Sequence, residues 1–208
     1  MSLLEKIFKS REHILEMLKE RNFNINNYKN YSINEINMMF NNHPKTNKEI
    51  SPLDISIKAE NTLLVKYILT PRIRISNIQT IVSGILEDFN ENDTLILILK
   101  DKITSEETLE EYFEKIYNSK KIFIQYFHLD TLTFNITKHE FVPKHIILNT
   151  EEKTDLISRL NILSIKKFPK IKKIDPVAKY LGMKRDDICK ILRPSETAGM
   201  YNYYRLCE

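Results

Sequence analysis

Tryptophan is absent from the 208 residues, glycine occurs 3 times and cysteine twice. Cys189 and Cys207 both lie in apolar, β-prone segments, so they read as buried thiols of a reducing compartment rather than as a disulfide or a metal site. The shortage of Gly, Ala and Trp beside abundant Asn, Ile and Lys is the mark of AT-rich coding, which speaks to source and not to mechanism. No apolar run approaches the ~20 residues of a membrane span. The opening stretch MSLLEKIFKSREHILEML is interrupted by Glu5, Lys6, Lys9, Arg11 and Glu12, and so lacks the apolar core and cleavage-like site of a signal peptide. A soluble, intracellular chain is expected. A strong charge excess is also missing: 32 Lys and Arg against 28 Asp and Glu leave a net charge of +4. That balance permits contact with nucleic acid without the clustered excess of a free-standing binder. No internal repeat is present.

What is there suffices for one large or two small cores, at 42% hydrophobic residues. Leu4, Ile7, Phe8, Ile14, Leu15 and Leu18, with Arg11 on the same face, predict an amphipathic helix over 3–21. Ser32 and Glu35 form a capping-box signature for a second helix that Pro44 stops. The Asn-rich link between them reads as a polar turn. Leu53 to Lys58 alternates like a half-buried strand, and Leu63 to Leu69 follows across a turn at Glu60-Asn61. A helix carrying Ile78, Ile81, Val82, Ile85 and Phe89 leads into Thr94 to Leu99, apolar on both faces and hence a central strand. Thr104 is expected to cap the next helix, with Leu109, Tyr112, Phe113 and Ile116 inward, ahead of a strand over 121–127. Strand, helix, strand at this spacing implies parallel neighbours.

A short strand is expected at Phe134 to Thr137, and the polar Lys138-His139-Glu140 run sets a domain boundary, giving units of 1–138 and 139–208. Beyond it come a strand at 145–148, a helix capped by Thr150, an extended Phe168 to Ile171, and a helix started by Asp175-Pro176 that ends near Gly182. The C-terminal stretch reads as two strands around an ordered loop, the first stopped by Pro194. The fold class is mixed α+β, with a small α/β first domain.

Catalytic constellations do not assemble. Asp54 on a strand invites a metal-nuclease reading, yet such a site needs a second acid and a lysine on the adjacent strand. The only acid-x-Lys triplet, Glu151-Glu152-Lys153, opens a helix elsewhere, so Asp54 is expected on the polar face of its strand. His139 and His145 lack a cysteine or acid to complete a zinc set. Ala178, Gly182 and Ile188 have the spacing of a helix-turn-helix over 176–192, with Lys184, Arg185 and Lys190 toward phosphates. A helix feeding a strand fits the same residues, so a DNA-binding regulator stays open as the alternative. Lys166, Lys167, Lys170, Lys172 and Lys173 gather around Phe168 alone, as a solvated or partner-facing surface does.

Arg193-Pro194-Ser195-Glu196-Thr197-Ala198-Gly199, preceded by Lys190-Ile191-Leu192 and followed by Tyr201-Asn202-Tyr203-Tyr204-Arg205-Leu206, resembles the C-terminal end of the fifth subunit of eukaryotic RNA polymerases, which has an archaeal polymerase counterpart. Asn135 to His145 and Asp175 to Gly182 resemble the junction segment and the aspartate-proline helix of the same family. The resemblance implies a non-catalytic subunit with no cofactor, part of the transcription machinery. Its second domain would dock on the largest subunit and its first would form part of the jaw beside downstream duplex DNA. It implies docking by His139, Pro143, His145, Asp175, Pro176, Arg193, Pro194, Ser195, Glu196, Thr197, Gly199, Tyr204 and Arg205, with internal bracing of the loop as the alternative for Arg193, Glu196, Thr197 and Arg205, and DNA-proximal Lys100, Lys102, Thr104 and Ser105. Partners are then the largest and other polymerase subunits, with no membrane and no homo-oligomer. Phe141 stands where the family usually has an aliphatic residue, a change expected to be absorbed by core packing. Met200 replaces a usual arginine, and Thr104-Ser105 a threonine-proline turn. AT-rich coding suggests a large DNA virus, with the polymerase in host cytoplasm and virion, or a nuclear polymerase of an AT-rich eukaryote.

Overall fold

Ser2 and Glu5 open the chain as a reciprocal cap. The Glu5 N–H donates to the Ser2 hydroxyl at 3.2 Å and the Ser2 N–H to the Glu5 carboxylate at 2.8 Å, fixing the start of helix α1 (Leu3–Glu20). In the computed structural model, which describes residues 1–44, 50–195 and 199–208, Ser32 and Glu35 open α2 (Ile33–Asn41) by the same device. Contacts divide the chain into two compact units, Met1–Phe134 and Asn135–Glu208.

The first unit continues with β1 (Ile55–Lys58), β2 (Thr62–Ile68), α3 (Ile75–Ile85), β3 (Thr94–Leu99), α4 (Glu106–Lys120) and β4 (Phe123–His128). Its sheet runs β1-β2-β3-β4, with β1 antiparallel to β2 and the other pairs parallel. Leu95, Leu97 and Leu99 face α3 and α4 in one core with Ile78, Val82, Leu109 and Phe113. The alternate residues Ile96 and Ile98 are equally buried, as a strand covered on both faces requires. Ser10 Oγ lies 3.4 Å from Tyr67 Oη, which sets α1 against the face that Tyr67 presents. Arg11, on the apolar face of α1, is buried with it: the guanidinium donates to the Leu53 carbonyl at 2.6 Å and lies over the Tyr28 and Tyr31 rings. The Asn-rich link thereby covers α1 with aromatics, and the Tyr28 hydroxyl also donates to the Ser56 carbonyl at 2.6 Å.

Three local expectations fail here. Asp54 is not on a polar face: it is buried one residue ahead of β1, opposite Lys66. Its carboxylate accepts from the Tyr67 and Ser51 N–H groups, both at 2.9 Å, and from Lys66 Nζ at 3.4 Å. Thr104 does not cap α4; Ser105 holds that position without a side-chain bond. Phe134 to Thr137 is not a strand, because the Asn135 side chain folds back on the Thr137 N–H and hydroxyl and makes a 3-10 turn over Ile136–Lys138.

The second unit holds β5 (Lys144–Ile147), α5 (Thr150–Arg159), β6 (Lys170–Ile171), α6 (Pro176–Leu181), β7 (Ile188–Ser195) and β8 (Gly199–Cys207). Its sheet runs β5-β7-β8-β6, antiparallel except for the β8–β6 pair. Asn149, not Thr150, caps α5, in a box with Glu152. One sheet face packs Cys189, Ile191 and Cys207 against Ala178 and Met183, on the α6 side. The other packs Ile188 and Leu206 against Leu156 of α5 and Phe168. Both thiols are free and buried, and burial raises their pKa, that of Cys207 to about 12. Gly182 ends α6 at φ 74°, a left-handed position where a Cβ would cost about 1 kcal/mol.

The helix-turn-helix is overturned. After Gly182 the Asp187 carboxylate accepts from the Lys184 N–H at 2.7 Å, Asp186 is left-handed, and the chain enters β7 rather than a second helix. Ile188, Cys189 and Ile191 pack in the sheet, Lys184 and Arg185 sit in the turn, and Lys190 is on the strand. No recognition helix carries them. Pro194 does not stop the strand either. β5 ends its pairing at Leu192, so Pro194 lies where β7 is an edge and its missing N–H costs no ladder bond.

Candidate functional site

Antiparallel registers put directly opposed side chains on one face. His145, Ile191 and Tyr203 form one such row across β5, β7 and β8, and Ile147, Cys189 and Arg205 form the next. Tyr203 is half-buried, and two guanidiniums lie on its ring, Arg193 Cζ at 5.0 Å and Arg205 Cζ at 5.6 Å from the centroid. Both distances are within cation–π reach. Among the described residues neither arginine has a carboxylate partner, and Arg205 Nε is buried with no hydrogen bond.

His145 borders this cluster. Its Nδ1 lies 2.7 Å from the Pro143 carbonyl, so Nδ1–H donates and the neutral ring satisfies the bond. Burial holds its pKa below the usual value, the Arg193 and Arg205 charges add to that, and the Pro143 carbonyl and Asp175 oppose it. Asp175 caps α6, accepting from the Val177 N–H at 2.9 Å, with Pro176 in the first turn. His145, Pro143, Asp175, Pro176, Arg193 and Arg205 thus share one neighbourhood.

Other predicted docking residues lie elsewhere. Tyr204 points to the α5 side, where the Arg159 guanidinium donates to its hydroxyl at 3.4 Å. His139 accepts from the Phe141 N–H at 3.3 Å and stands 5.7 Å from that ring. Phe141 is 85% exposed, so no core absorbs it, contrary to the expectation for its position. Pro194, Ser195 and Gly199 are at the far end of the β7–β8 hairpin, paired Pro194 with Met200 and Ser195 with Gly199. Glu196 and Thr197 lie outside the described residues. Sequence reasoning missed Tyr203: beside Tyr201 and Tyr204, only the register tells which tyrosine joins the arginines.

In the first unit Lys100, Lys102, Thr104 and Ser105 follow β3 at the carboxyl ends of the parallel strands. Lys100 is anchored by its N–H to the Ile68 carbonyl at 3.1 Å, and Lys102, Thr104 and Ser105 are exposed. Asp101 braces this loop: its carboxylate takes the Arg72 N–H at 2.9 Å, and its carbonyl faces His128 Nδ1 at 3.1 Å. His128 Nε2 in turn lies 3.0 Å from the Glu106 carboxylate. The loop is therefore held while its exposed residues remain in water.

Residues 134–207 match the family described as RNA polymerase Rpb5, C-terminal domain. A Dictyostelium discoideum protein named DNA-directed RNA polymerases I, II, and III subunit rpabc1 is 33% identical over 207 residues, 98% of each chain. The RPABC1 subunits of Caenorhabditis briggsae and Caenorhabditis elegans are each 45% identical over 86 residues, 41% of this chain and 40% of theirs. The likeness runs through both units, and the residues that the matched family description covers include those of the α6, β7 and β8 face. The chain belongs to the Rpb5 family of DNA-directed RNA polymerase subunits.

Proposed function

We propose that this subunit is non-catalytic, that its second unit docks on the largest polymerase subunit through the Tyr203 face, and that its first unit forms part of the jaw along downstream duplex DNA. The Tyr203 cluster carries the docking reading. Two arginines stacked on one half-buried ring, without carboxylate partners among the described residues, are the kind of aromatic and guanidinium group in which interface energy concentrates. The fifth-subunit resemblance supplies the partner, and substitution of the two arginines with measurement of incorporation tests it. As one subunit of a large assembly the chain does not form a homo-oligomer. A cellular polymerase places it in the nucleus; a virus-encoded one places it in host cytoplasm and virion.

The jaw reading rests on Lys100, Lys102, Thr104 and Ser105, presented by a braced loop. Such a contact is electrostatic and weak outside the complex. Lys100→Ala with Lys102→Ala in the assembled polymerase should reduce the slope of log K for duplex binding against log salt by about 2. Salt-titrated binding to one downstream duplex measures it. An unchanged slope would remove this loop from the DNA.

A further inference from the structure

Beside the Tyr203 cluster lies an open hollow lined by Lys170, Ile171, Lys172, Ile174, Asp175, Pro176 and Arg205. Two of its charges are already engaged. Lys170 pairs with Glu208, and Asp175 accepts the Val177 N–H at the start of α6. Two cations are left over, Lys172 and Arg205, with no carboxylate partner among the described residues. Arg205 Nε also has no acceptor. A buried guanidinium edge without a partner is uncommon in a finished structure, and a guanidinium beside an ammonium matches a carboxylate better than any neutral group.

The wall between them is apolar. Ile174 is 45% exposed, next to Pro176 on the rim. The segment that leads into Lys172 is cationic in sequence as well: from Arg159 to Lys173 it holds Arg159, Lys166, Lys167, Lys170, Lys172 and Lys173, and no acid, with Arg159 itself on the α5 side of the sheet. Aromatic side chains on which bases could stack are limited there to Phe168, and that ring is buried. The combination fits an acidic chain with aliphatic side chains and not a nucleic acid.

We infer that this hollow receives an acidic segment of the largest polymerase subunit, one Asp or Glu carboxylate meeting Lys172 and Arg205 while a neighbouring aliphatic side chain covers Ile174. The inference rests on the docking reading and adds the chemistry of the partner segment.

Carbodiimide coupling of the intact polymerase tests it, because the reagent joins an amine to a carboxylate only where the two already touch. An amide forms between Lys172 Nζ and the partner carboxyl, and the carbodiimide takes up the elements of water to become a urea. Peptide mapping should find Lys172 joined to an Asp or Glu of the largest subunit. The coupling should disappear in a Lys172→Glu, Ile174→Ser chain, whose recovery with the large subunits should fall about tenfold while its melting temperature, both positions being on the surface, stays unchanged. If the chain is recovered with the large subunits but Lys172 couples only to acids of its own chain, or is protected by DNA alone, the inference is overturned and docking stands. If the unmodified chain is not recovered with large subunits at all, the docking reading falls and this inference with it.

Discussion

Asp54→Ala lowers the stability of the first unit by about 3–5 kcal/mol, the cost of leaving a buried ion pair half removed. Lys66, whose side chain is 3% exposed, would lose the Asp54 carboxylate, and the Ser51 and Tyr67 N–H groups would lose their acceptor. At about 4 °C per kcal/mol for a domain of this size, the melting temperature should drop by about 12–20 °C. Asp54→Asn keeps the shape and one acceptor oxygen but not the charge, so it should fall between. Asp54→Leu with Lys66→Met should recover part of the loss, since both members of the buried pair are replaced by apolar groups, though not all of it, since the two backbone donors remain orphaned. Thermal melts followed by circular dichroism measure all four proteins. A shift of less than about 1 kcal/mol for Asp54→Ala would mean that the pair is solvated and the network does not hold β1 to β2.

Arg193→Ala with Arg205→Ala should reduce recovery of the large polymerase subunits at least tenfold, because two arginines anchored on an aromatic ring are worth about 2 kcal/mol each when they sit at the centre of an interface. The isolated chain should lose only about 1 kcal/mol, from the cation–π contacts on Tyr203. Arg193→Lys with Arg205→Lys separates stacking from charge. Lysine keeps the positive charge but not the planar fork, so incorporation should stay well below that of the unchanged chain. Quantitative mass spectrometry of tagged chains, with melts of the same proteins, reads both effects. Normal incorporation of the alanine protein would remove the Tyr203 face from the interface.

Sequence carries most of the local structure where one residue type decides it. Thr94 to Leu99 could only be a doubly covered strand, the Ser32 and Glu35 box opens α2, and Asp175-Pro176 to Gly182 delimits α6 from cap to left-handed stop. What sequence does not carry depends on pairing at a distance. Asp54 looks like a surface acid until β1 and β2 pair and set Lys66 opposite it, 12 residues away. Residues 183–192 fit a helix or a strand equally well by composition, and the hydrogen bonds to β5 and β8 make 188–192 a strand.

The same limit shaped the site. The Arg193 to Gly199 stretch and the Asp175-Pro176 pair are visible in sequence, and with them the family, but side-chain parity is not. Tyr203 opposes Ile191 and joins His145 and the arginines, whereas Tyr204 opposes Lys190 and faces α5. One residue of register sends the two tyrosines to opposite faces of the sheet, Tyr203 to the α6 side and Tyr204 to the α5 side. Phe141 escapes sequence reasoning for a related reason: an aliphatic residue in a family motif suggests burial, yet here the ring extends into solvent beside His139. That exposure withdraws the core explanation for the change.

The most direct measurement is gentle affinity purification of the tagged full chain from its native source, with mass spectrometry of what accompanies it and mapping of cross-links from the second unit. Stoichiometric recovery of two very large polymerase subunits, with cross-links from the α6, β7 and β8 face to the largest, is the predicted result. Recovery of the chain alone as a homodimer would contradict it.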